Sequence, residues 1–139
     1  MVEHKIYEGI SSTFKKEETL RHFLPSSGAD RALNYLLSTP QIIEMIIEAS
    51  ATMLDPLLPR EYITVGTHIE LSHEQPTLVL AGGTITVKLT VVKIHGNRIN
   101  LDIECYDENG LICKGKYERA IVNKEKLRVT SYKRAQGIV

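Results

Sequence analysis

The sequence predicts an α+β fold in which an antiparallel sheet curls around one long buried helix. An apolar run from about residue 40 to residue 55 predicts the helix. Beyond residue 62 the apolar side chains recur at every second position, as they do in half-buried strands. A sheet with one apolar face and a single very apolar helix bury each other most economically when the sheet wraps around the helix.

The helix has a clear start and a clear end. Thr39 is predicted to be its N-cap and Pro40 its first residue, and the run QIIEMIIEASATML then continues to Asp55-Pro56. The polar side chains of this run form only a narrow stripe: Gln41, Glu44, Glu48 and Thr52. Because the apolar surface covers most of the circumference, the helix is predicted to be mostly buried.

Four antiparallel strands are predicted after the helix, and apolar and polar residues alternate along the first three of them. Hairpin turns are predicted at His95–Arg98 and at Asp107–Gly110, the second with a favourable Asn-Gly pair. The doublet Val91-Val92 predicts a bulge or a change of register. The predicted strands are residues 64–73, 84–91, 99–105 and 111–122.

The ends of the chain carry weaker signals. Residues 9–15 predict a strand, the run KEETLRHFL predicts a short helix beginning near Lys16, and Pro25–Gly28 predicts a loop. Gly82-Gly83 predicts a turn before the next strand, and the tail after the last strand is polar. No repeat or long linker divides the sequence, so residues 1–139 are expected to form one domain.

A sheet curled around one long helix is the hot-dog arrangement. The predicted helix is so apolar, and the sheet has so few covering elements, that an isolated monomer would leave apolar surface exposed. A homodimer is therefore expected.

The composition excludes several classes of function. Seventeen basic side chains balance seventeen acidic ones, so the chain has no general attraction for nucleic acid or for an anionic membrane, although a local basic patch can still exist. No apolar segment approaches the length of a membrane span, and the N-terminus carries charges where a signal peptide would be apolar. The expected location is the cytoplasm.

The two cysteines, Cys105 and Cys113, flank a predicted hairpin turn. They can be a catalytic thiol or a disulfide, but in a reducing compartment they are more simply two small hydrophobic residues. A zinc site would need more ligands at closer spacing, so no metal is expected.

His73 and Thr39 are the leading candidates for chemistry. His73 shares the parity of Ile69 and Leu71, whose face is predicted to contact the helix, and it lies where its strand ends. Either the alternation fails there and His73 points to solvent, or it is a base or hydrogen-bonding group beside the helix. Thr39 either serves only as a cap or, with the N–H groups of the first helical turn, stabilises a developing negative charge.

Other polar residues have a structural and a functional interpretation. Arg119 shares the parity of Tyr117, and an inward-facing Arg needs a partner or a ligand. His68 lies on the opposite face of its strand from His73 and is predicted to be solvated. Glu44 and Glu48 lie four residues apart on the helix, as a surface or interface stripe or as a general acid and base.

Three stretches resemble the fluoroacetyl-coenzyme A thioesterase group of hot-dog proteins: Ser38-Thr39-Pro40 before an apolar helix, Val65–His73, and Gly115–Arg119. The resemblance runs from about Thr19 to Leu127. It implies that Thr39 and His73 are catalytic and that Arg119 lies near the active site and contributes to substrate binding. It also implies that the pantetheine arm of the substrate enters between two subunits.

The present sequence has a different residue at the position where the family has a catalytic carboxylate. The resemblance implies a catalytic Glu eight residues after Thr39, and Ile47 stands there. Glu48 is the candidate replacement, but it projects about 100° away from Ile47 on an ideal helix. Ile47 is accordingly predicted to contact substrate, and Glu48 to be catalytic only if the helix is overwound or shifted.

The resemblance implies an enzyme that hydrolyses a small or medium acyl-CoA thioester and needs no cofactor, since coenzyme A arrives as part of the substrate. Ile47 favours an alternative, a non-catalytic acyl-CoA-binding or regulatory module. A hot-dog dehydratase is a further alternative, for which His73 is available but its carboxylate partner is not evident.

Overall fold

A computed structural model of the chain describes residues 2–17, 36–78 and 83–137. In these ranges the chain forms five strands and two α-helices, and the short 3-10 helix Asp55–Leu57 follows the first α-helix. The elements in chain order are β1 (Ser11–Glu17), α1 (Thr39–Leu54), β2 (Tyr62–His73), β3 (Thr84–His95), β4 (Arg98–Asp107), β5 (Gly110–Asn123) and α2 (Lys124–Ala135).

The five strands form one antiparallel sheet in the order β1-β3-β4-β5-β2, so that β1 and β2 are its edges. Both predicted hairpins are confirmed, because β4 pairs with β3 and with β5 across short turns. The predicted irregularity at Val91-Val92 is also confirmed, as the register with β4 shifts between Val91 and Lys93. Two further shifts, between Gly66 and His68 of β2 and between Cys105 and Tyr106 of β4, were not predicted.

The core lies between α1 and the concave face of the sheet, as the sequence predicted. From α1, Ile42, Ile46 and Leu54 are fully buried. They belong to one cluster with the inward-facing residues of the strands: Ile85, Val87, Leu89, Val91, Ile99, Leu101, Ile103, Cys105, Ile112 and Cys113. Burial of this apolar surface is the main force that holds the sheet around the helix.

The prediction that Thr39 caps α1 is wrong by one residue, because Ser38 is the N-cap. The Ser38 hydroxyl accepts a hydrogen bond from the Gln41 backbone N–H at 3.3 Å, and the Gln41 side chain accepts one from the Ser38 N–H at 3.3 Å. This reciprocal pair is a capping box. It places Thr39 in the helix, moves Pro40 to the second helical position and buries Gln41, which was predicted to lie on the polar stripe.

The strand predicted at residues 9–15 is confirmed with its bounds shifted, and this shift corrects the helix predicted near Lys16. β1 continues to Glu17, and Lys16 pairs with Ile85 of β3. Alternating exposure along β1 suits a strand at the edge of the sheet. The rest of the predicted helix, the loop at Pro25–Gly28 and Gly82 of the predicted turn lie outside the described residues.

The polar tail forms α2, which was not predicted. Asn123 caps this helix by accepting a hydrogen bond from the Lys126 N–H at 3.0 Å. No residue of α2 is buried, so the helix has no apolar periodicity that a sequence pattern could have revealed. Within the described ranges, neither α-helix combines the length and the apolar character of a membrane-spanning helix.

Candidate active site

Thr39 and His73 meet at the point where β2 ends and α1 begins. The Thr39 Oγ1 and the His73 Nδ1 lie 2.8 Å apart and share a hydrogen bond. The strand parity left two positions open for His73, in solvent or beside the helix, and the hydrogen bond to Thr39 places it beside the helix. Since Thr39 does not have to cap the helix, its hydroxyl is available for the imidazole.

The second nitrogen of His73 is the least satisfied polar atom of this region. His73 Nε2 is buried and has no hydrogen-bond partner among the described residues. Buried polar groups in proteins are nearly always paired, so such an atom points to a water molecule or a ligand that would satisfy it. Thr39 therefore holds the imidazole at one nitrogen, and the other nitrogen is buried without a partner among the described residues.

The first turn of α1 offers fewer free amides than a typical helix start. Pro40 has no N–H, and the Gln41 N–H is taken by the Ser38 hydroxyl. Among the first three residues of the helix, only Thr39 has a backbone N–H that is not already bonded to the cap. The predicted anion site is thus reduced to the backbone N–H and hydroxyl of one residue, at the positive end of the helix dipole.

Glu48 lies away from His73. Its carboxylate is 2.9 Å from the Lys16 Nζ on β1, and about half of its side chain is exposed. Within the described ranges, the hydrogen bonds of His73 include none with a carboxylate. The structure thus brings Thr39 and His73 together without Glu48.

Ile47 is the most exposed isoleucine of α1, with 43% of its surface accessible. It lies two turns after Thr39, about 12 Å along the axis at 1.5 Å per residue. Ile43 is half-buried one turn earlier on the same side of the helix, so the two side chains form an apolar strip that leads away from Thr39.

Arg119 is buried and forms a closed polar cluster with Thr64, Asp55 and Tyr117. Its Nε and Nη2 donate to the Thr64 hydroxyl at 2.8 Å and to the Thr64 carbonyl at 2.7 Å, and its Nη1 donates to the Tyr117 hydroxyl at 2.8 Å. The Asp55 carboxylate accepts from both the N–H and the hydroxyl of Thr64. The Thr64 hydroxyl therefore links the two charged groups, since it accepts a hydrogen bond from Arg119 and donates one to Asp55.

The Arg119 cluster accounts for the glycine at position 66. It also lies far from His73 in the same chain. A side chain at Gly66 would collide with the Tyr117 hydroxyl, so the cluster requires glycine there. Arg119 pairs with Gly66 on β2, seven residues before His73, which is roughly 23 Å along a strand. No sequence pattern predicts this role for Asp55 or Thr64, because their contacts are made only in the folded chain.

Cys105 and Cys113 lie directly opposite each other on β4 and β5, as the hairpin predicted. Both are free and buried. Burial raises the pKa of the Cys105 thiol to about 12 and that of Cys113 to about 11, with further contributions from neighbouring acidic groups. Thiols with such high pKa values are poor nucleophiles at neutral pH, which favours the interpretation as small hydrophobic residues.

His68 is exposed and lies 3.2 Å from Glu70, in agreement with its predicted solvated position. The part of the chain that the structure describes contains no group of three or more His, Cys, Asp or Glu side chains arranged to hold a metal ion.

The fold has clear counterparts among solved structures. A hot-dog-like protein from Thermanaerovibrio acidaminovorans is 24% identical, with 91% of each chain covered and a TM-score of 0.80. A hypothetical protein of Thermus thermophilus, described as a thioesterase superfamily member, is 22% identical over 95% of each chain with a TM-score of 0.81. The fluoroacetyl-CoA thioesterase FlK is 20% identical, with 93% of this chain and 97% of its own covered and a TM-score of 0.82. These likenesses establish the class: the chain is a hot-dog domain.

The sequence comparison gives the family. Residues 17–125 match the family described as fluoroacetyl-CoA-specific thioesterase. No protein of curated function matches the chain. Since the matched region covers most of the sequence, the chain belongs to the fluoroacetyl-CoA-specific thioesterase family.

Proposed function

We propose that the protein hydrolyses a small or medium acyl-CoA thioester, with His73 and Thr39 as its catalytic residues. The observation that carries the proposal is the state of the imidazole, whose Nδ1 is fixed by Thr39 and whose Nε2 is buried without a partner among the described residues. Family membership supports this substrate class. FlK itself has been solved with acetyl-CoA, and with fluoroacetate and CoA, in variant forms.

The hydrogen bond to Thr39 sets the role of the imidazole. When Nδ1 carries the proton and donates it to the Thr39 hydroxyl oxygen, Nε2 presents a lone pair and acts as a general base. Among the described residues, no protein group forms a hydrogen bond with Nε2, so its lone pair is proposed to face the substrate. A water molecule bound there is activated for attack.

In the proposed reaction, one proton moves from water to His73 and then to the departing thiolate. His73 Nε2 takes a proton from water as the water oxygen attacks the thioester carbonyl carbon. The tetrahedral oxyanion accepts hydrogen bonds from the Thr39 N–H at the start of α1, where the helix dipole also stabilises negative charge. As the C–S bond breaks, the imidazolium returns the proton to the departing thiolate, so that the products are a carboxylic acid and coenzyme A.

The apolar strip of Ile43 and Ile47 is the proposed contact surface of the acyl group. Because Ile47 stands where the family has its carboxylate, water is proposed to be activated by His73 directly, without a helix-borne Glu. An apolar acyl chain gains roughly 25 cal/mol for each Å² that it buries against such a strip. A short polar acyl group gains less, so the proposal favours unsubstituted aliphatic esters.

A homodimer formed along β2 is part of the proposal. β2 is a 12-residue edge strand, and the middle of it, from Gly66 to His68, is exposed. Pairing of two such edges would satisfy backbone groups that are otherwise open to unwanted association. Analytical ultracentrifugation would give a dimer mass, and a monomer at micromolar concentration would contradict this part.

Free-thiol release from a panel of short, medium and aromatic acyl-CoA esters tests the proposed activity. The expected result is catalytic turnover of at least one aliphatic ester, with a rate that grows from acetyl to medium chains as the acyl group reaches Ile47. If no ester is hydrolysed but CoA esters raise the melting temperature, the protein is a binding module. Ile47 is the observation that favours this second candidate.

A further inference from the structure

The segment that follows β2 and the segment that precedes α1 lie side by side. Leu36 and Leu78 form an isolated antiparallel bridge. Beside it, the Leu37 N–H donates a hydrogen bond to the Thr77 carbonyl at 2.9 Å. Both residues of this bond are buried, so water competes little for it. The end of β2 is therefore tied to the entry of α1 by the backbone as well as by side chains.

This backbone contact closes a small ring of chain and hydrogen bonds that contains the reactive pair, Thr39 and His73. Thr39 comes two residues after Leu37. His73 comes four residues before Thr77. The hydrogen bond of the reactive pair closes one end of the ring, and the Leu37–Thr77 bond closes the other. Because two residues of chain span at most about 7 Å, a displacement of Thr77 carries Leu37 and the start of α1 with it.

A third element of the fold holds Thr77 in place. Thr77 is buried, and its hydroxyl donates a hydrogen bond to one carboxylate oxygen of Asp107 at 2.8 Å. Asp107 is the last residue of β4, and its other carboxylate oxygen accepts from the Asn109 N–H in the β4–β5 turn, also at 2.8 Å. Hydrogen bonds to an ionised carboxylate are stronger than those between neutral groups. Thr77 thus holds the entry of α1 with its carbonyl and is itself held to the hairpin by its hydroxyl.

We infer that Asp107 is a positioning residue for the reactive pair and that it acts through Thr77. This inference rests on the proposed function. The Thr77 hydroxyl has no second partner among the described residues, so without the carboxylate a buried polar group is left unsatisfied and its segment has to shift. The Leu37 N–H follows the Thr77 carbonyl, and the start of α1 follows Leu37. Since a misplacement of about 1 Å can cost a catalysed reaction about 10²-fold in rate, the position of Thr77 matters for hydrolysis.

Thr77→Val tests the hydroxyl, because valine keeps the shape of the side chain. Below the melting temperature of all variants, kcat for the best thioester should fall about five- to tenfold while KM stays within about twofold, since the reactive pair is misaligned but the substrate contacts remain. Thr64→Val is the matched control, because it also removes a hydrogen bond from a buried Thr to an Asp. It should lower the melting temperature at least as much and leave kcat unchanged. An unchanged kcat in Thr77→Val, or an equal fall in Thr64→Val, would overturn the inference.

Asp107→Ala removes the same hydrogen bond from the other side, and it serves alone if Thr77→Val does not fold. It should lower kcat by the same factor as Thr77→Val. The double variant should be no slower than Thr77→Val, because Asp107 acts only through that hydroxyl. Glu108→Ala is the control for the turn, since Glu108 accepts from the Thr84 N–H instead, and its kcat should match the wild type. If the effects of Asp107→Ala and Thr77→Val multiply, the inference is wrong.

Thr77→Ser is the conservative variant. It keeps the hydroxyl for Asp107, and its kcat should stay within about twofold of the wild-type value. A loss of kcat as large as that of Thr77→Val would show that the hydroxyl is not the cause and would contradict the inference.

The NMR resonance of the His73 Nδ1 separates failure of this inference from failure of the proposed function. The resonance is assigned by its absence in His73→Ala, and it reports the hydrogen bond to Thr39 whether or not any thioester is hydrolysed. Thr77→Val should move it toward its position in Thr39→Val, whereas Thr64→Val should leave it in place. A wild-type resonance in Thr77→Val would overturn the inference whatever the chemistry at His73.

Discussion

Two polar clusters differ in how completely their hydrogen bonds are satisfied. The Arg119 cluster joins the end of α1 to β2 and β5, and the three donor nitrogens of the guanidinium all have partners. The Thr39–His73 pair joins the start of α1 to the end of β2, and it leaves the buried His73 Nε2 without a partner in the part of the chain that the structure describes. A closed polar cluster rigidifies the protein, whereas an open one has capacity left for a substrate.

The two clusters are also built around different residues, Arg119 in the first and His73 in the second. Arg can fix several acceptors at once and stays charged, so it suits a permanent link between Thr64 and Tyr117. His changes its protonation state near neutral pH and so suits proton transfer. We therefore expect substitutions in the open cluster to change the rate of hydrolysis, and substitutions in the closed one to change stability.

His73→Ala is expected to give the largest effect. Loss of the general base should lower kcat/KM for the best thioester about 10²- to 10⁴-fold, with little change in the melting temperature. His68→Ala is the matched control, because His68 lies on the same strand but is exposed. Equal hydrolysis by His73→Ala and the wild type would refute the mechanism.

Arg119→Met is expected to destabilise the fold. The substitution keeps an unbranched apolar stem but removes the guanidinium from Thr64 and Tyr117 and the cation from the neighbourhood of Asp55, at a cost of about 3 kcal/mol in the free energy of unfolding. Chemical denaturation measures this loss. Arg119→Lys, which keeps the charge but has fewer donors, should lose less. If Arg119→Met were as stable as the wild type, the cluster would not be a structural link.

Thr39→Val separates the role of the hydroxyl from helix capping. Without the hydrogen bond the imidazole is less well oriented, and we expect kcat to fall about tenfold while the free energy of unfolding changes little. Thr39→Ser should keep most of the activity. Ser38→Ala is the complement, since it removes the cap and should cost about 1 kcal/mol of stability. A larger stability loss in Thr39→Val than in Ser38→Ala would contradict this division of roles.

Glu48→Gln is expected to have the smallest effect. The exposed ion pair with Lys16 contributes little, so stability should change by less than about 0.5 kcal/mol. Hydrolysis should stay within about twofold of the wild type, as for the neighbouring control Glu44→Gln. Steady-state kinetics of the two variants decide the matter, and a selective loss of kcat in Glu48→Gln would return this carboxylate to the mechanism.

The elements with a strong period were predictable because a local pattern determines them. The apolar run of α1 and the alternation of β2 to β4 are visible in the sequence, and their apolar residues fill much of the core. The parity of His73 indicated the helix side of the strand but left open whether the strand end turns the side chain to solvent. α2 escaped prediction because it buries no residue and so has no apolar period.

The details of the site were less predictable because neighbouring residues compete for the same role. Ser38 and Thr39 are both good N-caps, and the choice depends on Gln41 reaching back to the Ser38 N–H. Asp55 was recognised only as the end of a helix. Its bond with Thr64 depends on how β2 returns past the helix, which no local pattern encodes.

The sequence by itself determined which faces of the helix and strands are apolar, and hence that a sheet wraps around α1, since burial of apolar surface follows from periodicity. Only the tertiary structure decided which polar atoms meet. Thr39 and His73 are 34 residues apart, and their hydrogen bond exists because β2 ends beside the start of α1. The same packing gives the Arg119 guanidinium its partners and leaves the His73 Nε2 without one among the described residues. Periodicity determines only which side of an element a side chain is on, whereas a hydrogen bond depends on where two atoms lie in space.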